Sequence, residues 1–191
     1  MKISKELQEK IDRVTKEEVS IVPYDPAWIN KFEEESDFLK KRFPRIIKRV
    51  EHFGSTSVPG LSAKPIVDML IEVSSYKDVK REIVPVLESL GYDYFWRPSI
   101  DKPPYYTWFI KRDSKGIRTH HLHMVIAGSE LWDRLYFRDY LKAHPETAKE
   151  YEDLKVRLSK ENPNDRSAYT KAKTDFVVAV TKKAKKSSKT R

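Results

Sequence analysis

The chain has 191 residues, enough for a sizeable core, and no cysteine, which excludes disulfides, thiolate metal sites and a cysteine nucleophile. Its formal net charge is +9, but six cations and no acidic residue lie within 182–191, which leaves +3 for residues 1–181. We predict a basic, disordered tail over 182–191 and no nucleic-acid partner, because no aromatic residue is interleaved with those lysines. The polar N-terminus and the lack of a long apolar run predict a cytoplasmic protein with no membrane partner.

The spacing of apolar residues predicts helices and strands in alternation, followed by a helical last third. The predicted helices are a peripheral one over 1–18, one that starts at Asp25-Pro26 and ends before Pro44, Tyr76–Leu90 with a kink or an early break at Pro85, and three beginning at Ser129, Pro145 and Asn164 or Asp165. The predicted strands are Val19–Val22, Ile46–Phe53, Pro65–Val73, Tyr92–Trp96, Tyr105–Arg112 and Ile117–Ile126, with a loop over Arg97–Pro104.

A loop of small residues joins the second and third of these strands. It begins with Gly54, Ser55, Thr56 and Ser57, and the strand after it carries one acidic residue, Asp68, among apolar ones. Such a loop either turns the chain or lets a ligand approach the backbone closely. A carboxylate in an apolar strand is costly without a partner, so Asp68 is a candidate functional residue.

The strand Ile117–Ile126 contains a His-x-His pair. Because alternate residues of a strand share a face, His121 and His123 project together, opposite an apolar face. Two histidines at this spacing can bind a metal, hold a phosphate or exchange protons. A pair of structural histidines is an equally good interpretation of this motif alone.

Three cations are candidates for binding a phosphorylated ligand. Lys64 lies at the start of the Asp68 strand, on the same face as Asp68, and Arg138 and Lys173 lie in predicted helices. The alternative is that all three are solvated surface residues, as most helical lysines and arginines are.

Four ordered motifs together resemble the GrpB family, an uncharacterised group within the nucleotidyltransferase superfamily. They span His52–Asp68, Arg118–Val125, Phe137–Pro145 and Ala168–Lys173. The resemblance implies an α/β (α+β) fold in which helices pack on a mixed, nucleotidyltransferase-like sheet, a single domain over 1–181, an intracellular location, and a pocket at the Gly-Ser loop.

The wider superfamily pairs such a loop with two carboxylates on the next strand and a third on a neighbouring strand, because carboxylates hold the Mg²⁺ ions that bind the triphosphate. Here Asp68 matches, but the second position is Leu70, and Glu72 lies too far along the strand to share an ion. We expect the His121/His123 strand to neighbour Asp68, with Asp68 and His123 as ligands of a divalent metal, Mg²⁺ or Mn²⁺ rather than Zn²⁺.

Two function classes remain open. In the first, the protein transfers a nucleotidyl or phosphoryl group, with Asp68, His121 and His123 as catalytic residues and the Gly-Ser loop, Lys64, Arg138 and Lys173 binding a nucleotide or other phosphorylated small molecule. In the second, the fold binds such a ligand, or docks a partner, without catalysis. The missing second carboxylate favours binding, whereas the ionisable residues in apolar strands favour an enzyme.

Overall fold

The computed structural model describes residues 5–96 and 106–189. The predicted loop over Arg97–Pro104 lies outside the described residues. By their internal contacts the described residues form two compact units, while a single family domain over 1–181 stays a prediction. The sheet unit comprises residues 25–57 and 66–132, and the helical unit comprises residues 1–24, 58–65 and 133–191. Within the described residues, no helix is both long enough and apolar enough to span a membrane.

The sheet unit contains a mixed sheet of five strands in the order β1-β2-β5-β4-β3. The pair β2–β5 is parallel, and the other pairs are antiparallel. This sheet, together with the helical C-terminal part, confirms the predicted fold class. The strands are β1 (Ile47–Phe53), β2 (Val67–Val73), β3 (Asp93–Trp96), β4 (Thr107–Arg112) and β5 (Arg118–Val125).

Helix α2 (Ala27–Arg42) packs on one face of the sheet. Its Phe32 ring stacks on His52 of β1 at 4.8 Å between centroids, and the Lys31 carbonyl accepts a hydrogen bond from His120 of β5 at 3.2 Å. Because residues alternate between faces along a strand, His121 projects from the face opposite α2. The helix begins after Asp25, whose carboxylate accepts the Ala27 backbone N–H at 2.9 Å.

The predicted helix Tyr76–Leu90 is interrupted as Pro85 requires. The segment is α3 (Tyr76–Asp78), a π-helical turn (Val79–Ile83) and α4 (Val84–Ser89), because proline has no N–H to donate to the preceding turn. Ser75 caps its start by accepting the Asp78 N–H at 3.1 Å. Gly91 follows its end at φ +82°, a conformation that suits glycine after a helix.

The helical unit contains α1 (Lys5–Thr15), α5 (Arg134–Ala143), α6 (Pro145–Glu161), α7 (Arg166–Ala172) and α8 (Thr174–Lys189). Its core joins α5, α6 and α8 to the segment 58–65. Asp165, one of the two predicted starts, caps α7 by accepting the Ala168 N–H at 2.8 Å. The predicted strand Val19–Val22 is reduced to one bridge, between Val22 and Ala63.

The segment predicted to be a disordered tail from Lys182 is helical as far as Lys189. The apolar stripe of α8 continues through Val180 to Ala184, which is buried in the helical core. Lys185 also donates to Asp133 at 2.7 Å. The prediction of disorder rested on the number of cations and overlooked this apolar stripe. The lysines occupy the polar face of an amphipathic helix, where they also interact favourably with the C-terminal end of its dipole.

Candidate functional site

The parallel pair β2–β5 brings Asp68 and the two histidines together. Asp68 is the register partner of His121, and Leu70 is the partner of His123, which confirms the expected neighbourhood of the two strands. His121 Nδ1 lies 3.0 Å from Asp68 Oδ1, and His123 Nε2 lies 4.0 Å from the same oxygen. One ligand atom from each residue lies within 4.8 Å of the other two, so the cluster can hold a metal ion.

The cluster is partly shielded from solvent but remains open to it. The side chains of Asp68, His121 and His123 are 28%, 11% and 15% exposed. A carboxylate and imidazoles in such a setting interact more strongly with a bound ion than they would on an open surface, because screening by water is weaker. The remaining exposure of Asp68 allows an ion or ligand to reach it.

Gly54 lies directly against the Asp68 carboxylate. Its φ is +74°, and a Cβ atom added there would lie 2.4 Å from Asp68 Oδ2 and 3.1 Å from Asp68 Cβ and Cγ. This position therefore requires glycine for two reasons: its backbone conformation and its close approach to Asp68. This contact links the Gly-Ser loop to the ionisable cluster.

The hydroxyls that follow Gly54 hold the loop in shape. Residues Ser55–Ser57 form one 3₁₀ turn, in which the Ser57 hydroxyl donates to the Gly54 carbonyl at 2.6 Å. The buried Thr56 hydroxyl donates to the Ile66 carbonyl at 3.3 Å and lies 2.9 Å from His52 Nε2. These contacts assign Thr56 and Ser57 a structural role, whereas phosphate binding by the loop stays a prediction.

Aromatic rings surround His123, a feature that the sequence analysis missed. The ring centroid of His123 lies 5.2 Å from that of Phe53, 5.3 Å from Tyr106 and 6.2 Å from Trp108. Trp108 is the register partner of His123 on β4. Packing of this kind fixes the imidazole plane and limits water around it. The alternation of Tyr106 and Trp108 was visible in the sequence. Only the strand register shows that these two rings lie beside His123.

Arg118, at the start of β5, is a second residue that the sequence analysis did not assign to the site. It is 5% exposed, and its Nη1 lies 3.3 Å from His121 Nε2. His121 therefore contacts Asp68 through one ring nitrogen and Arg118 through the other. The sequence did not predict this contact, because residues three positions apart in a strand are expected on opposite faces of the sheet.

The three predicted phosphate-binding cations belong to the helical unit. Lys64 Nζ lies 5.4 Å from the centroid of the Tyr169 ring, and Lys173 Nζ lies 4.3 Å from the same centroid. Arg138 donates from Nε to Asp139 at 2.7 Å. Two of the three predicted cations are thus held on a single aromatic ring by cation–π contacts.

A buried lysine, Lys155 of α6, fixes the chain just before Lys64. It is 1% exposed and donates from Nζ to the Ser62 carbonyl, while the Ser62 N–H donates to the Glu152 carboxylate at 2.9 Å. Burial lowers the pKa of Lys155 to about 7, with a further lowering from Lys64. Hydrogen bonds from Ser62 hold the pKa of Glu152 at about 2.

We expect stability to rise with pH above 7 because of Lys155. Its pKa in the folded chain, about 7, lies below its ordinary value of 10.5, so the folded state binds fewer protons between these pH values. The free energy of unfolding should then increase with pH by at most about 1.4 kcal/mol per unit in this window. Urea unfolding from pH 6 to 9 should show this slope in the unchanged protein and lose it in Lys155→Met.

Lys160→Met is the matched control for this prediction, since Lys160 is an exposed lysine on the same helix. It should leave the pH dependence unchanged. Equal slopes for the unchanged protein and Lys155→Met would contradict the assignment.

Comparison with known proteins places the chain in a family. The family profile described as GrpB protein matches residues 18–183. The chain belongs to the GrpB family. A relative from Alkalihalophilus pseudofirmus named glutamate-rich protein GrpB is 37% identical over 165 residues, which cover 86% of this chain and 94% of that protein. The UPF0157 protein YqkA of Bacillus subtilis is 38% identical over 177 residues, which cover 92% of this chain but only 50% of that relative.

A solved GrpB structure shares the fold. The crystal structure of the conserved protein GrpB from Enterococcus faecalis aligns with a TM-score of 0.77 at 34% sequence identity, covering 88% of this chain and 98% of that one. The mixed sheet with a helical C-terminal part is therefore an architecture found within the GrpB family. The family assignment confirms the resemblance stated from the four sequence motifs.

Proposed function

We propose that this GrpB chain binds a nucleotide or other phosphorylated small molecule together with one divalent metal ion at Asp68, in a fold derived from the nucleotidyltransferase superfamily. The observation that supports this most directly is the cluster of Asp68, His121 and His123, whose ligand atoms lie within 4.8 Å of one another. Gly54 supports it further, since its close approach to Asp68 Oδ2 places the loop backbone beside the same carboxylate.

The chemistry of the donors limits which ion fits. A ligand set that combines imidazole with a carboxylate suits first-row transition metals better than Mg²⁺, which prefers oxygen ligands. Of the two ions expected from the sequence, Mn²⁺ is the better match, and it also accepts phosphate oxygens as ligands. We therefore propose Mn²⁺ as the first probe, with Zn²⁺ and Mg²⁺ as comparisons.

One bound ion supports ligand binding more readily than two-metal transfer. The position of the second superfamily carboxylate is Leu70, which is 0% exposed and lies across from His123. A two-metal mechanism needs carboxylates to hold both ions. Lys64, Arg138 and Lys173 stay candidates for phosphate binding within their own helical unit, where Lys64 and Lys173 both lie over the Tyr169 ring.

A phosphoryl- or nucleotidyl-transfer enzyme is the second candidate, and the contact between His121 Nδ1 and Asp68 favours it. A histidine oriented by a carboxylate is a common arrangement for moving protons. Turnover of a ligand found by binding would decide between the two candidates.

The test is thermal unfolding of the unchanged protein and of Asp68→Asn with Mn²⁺, Mg²⁺ or Zn²⁺ and a panel of nucleotides and phosphorylated cofactors. A ligand at about 100 times its dissociation constant stabilises the folded state by about 2.7 kcal/mol, so the midpoint should rise by roughly 5–10 °C. We expect the rise with Mn²⁺ and ligand together, and its loss in Asp68→Asn.

Glu72→Gln is the matched control, because Glu72 lies on the same strand and face as Asp68 but outside the metal-binding cluster. It should keep the full rise. A ligand-induced rise in the midpoint that needs no metal and persists in Asp68→Asn would contradict the metal-dependent proposal.

A further inference from the structure

Three side chains of the sheet unit form a linear contact: Arg118, His121 and Asp68. The Arg118 guanidinium Nη1 lies 3.3 Å from His121 Nε2, and His121 Nδ1 lies 3.0 Å from Asp68 Oδ1. Arg118 and His121 are both buried. Such a chain of contacts restricts where the imidazole proton can lie.

The hydrogen-bonding groups of arginine determine where the His121 proton lies. A guanidinium has N–H donors only, so His121 Nε2 must accept the bond from Arg118. A neutral imidazole with an accepting Nε2 carries its proton on Nδ1. That proton then points at Asp68 Oδ1, which accepts the hydrogen bond.

From this geometry we infer that His121 and Arg118 are positioning residues, and that the divalent ion is held by Asp68 and His123. This inference rests on the proposed function. His121 orients the carboxylate through Nδ1–H, and Arg118 selects the tautomer that allows it. An outer partner of this kind fixes the orientation of a ligating carboxylate.

Direct ligation by His121 would require Arg118 to leave. With a metal on Nδ1, a neutral His121 carries its proton on Nε2, and two N–H groups would then face each other across 3.3 Å. Arg118 is 5% exposed, so moving it away from the imidazole takes an acceptor from a buried charged group, which is costly. With Asp68 and His123 as the ligands from the part of the chain that the structure describes, the other coordination positions are available to phosphate oxygens and water.

The first test needs no ion. ¹⁵N NMR of the imidazoles in the metal-free protein should show His121 as the Nδ1–H tautomer, with its signals assigned by their loss in His121→Asn. Arg118→Met removes the donor that faces Nε2, so Nε2 should carry a proton in part of the population and the pure Nδ1–H signal pattern should be lost. An Nε2–H tautomer in the unchanged protein would overturn the inference.

The second test measures Mn²⁺ affinity by titration calorimetry. His121→Asn keeps an N–H donor for Asp68 and should stay within about 5-fold of the unchanged protein, whereas His121→Phe, which removes the donor, should lose about 10- to 100-fold. His123→Asn removes a ligand and should lose more than His121→Phe. Equal losses for His121→Asn and His123→Asn would make His121 a ligand and overturn the inference.

A third readout counts ligands directly. Pulsed electron paramagnetic resonance of bound Mn²⁺ should show one coordinated imidazole, and two would overturn the inference. If Mn²⁺ does not bind the unchanged protein at all, the proposed function and the ion assignment fall together. The NMR tautomer then still decides whether Arg118 orients His121 toward Asp68, so the two failures are distinguishable.

Discussion

Gly54→Ala should remove metal-dependent ligand binding while the protein still folds. The new Cβ would lie 2.4 Å from Asp68 Oδ2 and 3.1 Å from Asp68 Cβ and Cγ, so rotating the carboxyl group alone does not relieve the overlap. The carboxylate must move away from His121 and His123, which would disrupt the proposed ion site. The left-handed backbone adds about 1–2 kcal/mol of strain. We expect a total loss of about 2–4 kcal/mol in the free energy of unfolding.

Gly60→Ala separates the two contributions. Gly60 has φ +78°, close to that of Gly54, but an added Cβ there meets nothing within 4 Å. Gly60→Ala should lose only the part of the free energy of unfolding that comes from backbone strain. It should keep the rise in the thermal midpoint with Mn²⁺ and ligand. Urea unfolding and the metal-dependent thermal shift, measured on both variants, check this. A Gly54→Ala protein that still shows the full shift would refute the role given to this contact.

Leu70→Asp should lower the free energy of unfolding more than Gly54→Ala does. Leu70 is fully buried, and it lies two residues from Asp68 on the same face of β2 and across from His123. The substitution buries a second carboxylate near the first, so both desolvation and like-charge repulsion oppose it. We expect the free energy of unfolding to fall by about 3–5 kcal/mol without metal, a size typical of an uncompensated buried charge.

Mn²⁺ should restore part of that loss, because a divalent ion neutralises paired carboxylates and binds both. Leu70→Asn is the control, since it has nearly the same shape and buries a polar group without the charge. Urea unfolding with and without Mn²⁺ should show a clearly larger recovery for Leu70→Asp than for Leu70→Asn. Equal recovery in the two variants would count against an ion bound beside Leu70.

Features that repeat along the chain could be predicted from the sequence. The alternation around Asp68 and His121 gave the faces of both strands, and the approximate limits of all five strands followed from apolar runs and turn residues. Asp165 was one of two predicted helix starts, because its side chain can satisfy a free backbone N–H. The family resemblance supplied the neighbourhood of β2 and β5, which periodicity alone does not contain.

Contacts that depend on register or on packing could not be predicted. Arg118 reaches His121 and Trp108 packs by His123 only because of where β4 and β5 lie in the sheet. Lys155 looks like any other helical lysine until the burial of its side chain is known. The C-terminal segment was misjudged because six cations drew more attention than Ala184, which continues the apolar stripe of α8.

The single parallel pair in the sheet has a kinetic consequence. Asp68 and His121 are separated by 53 positions in the chain, and β3 and β4 lie between them in sequence. Parallel pairing of such distant segments requires the closure of a long loop, which tends to make it a slow step of folding. The proposed ion site would therefore be completed late, so a bound ion should act mainly by slowing unfolding, and it would extend the lifetime of the native protein more than it would speed its formation.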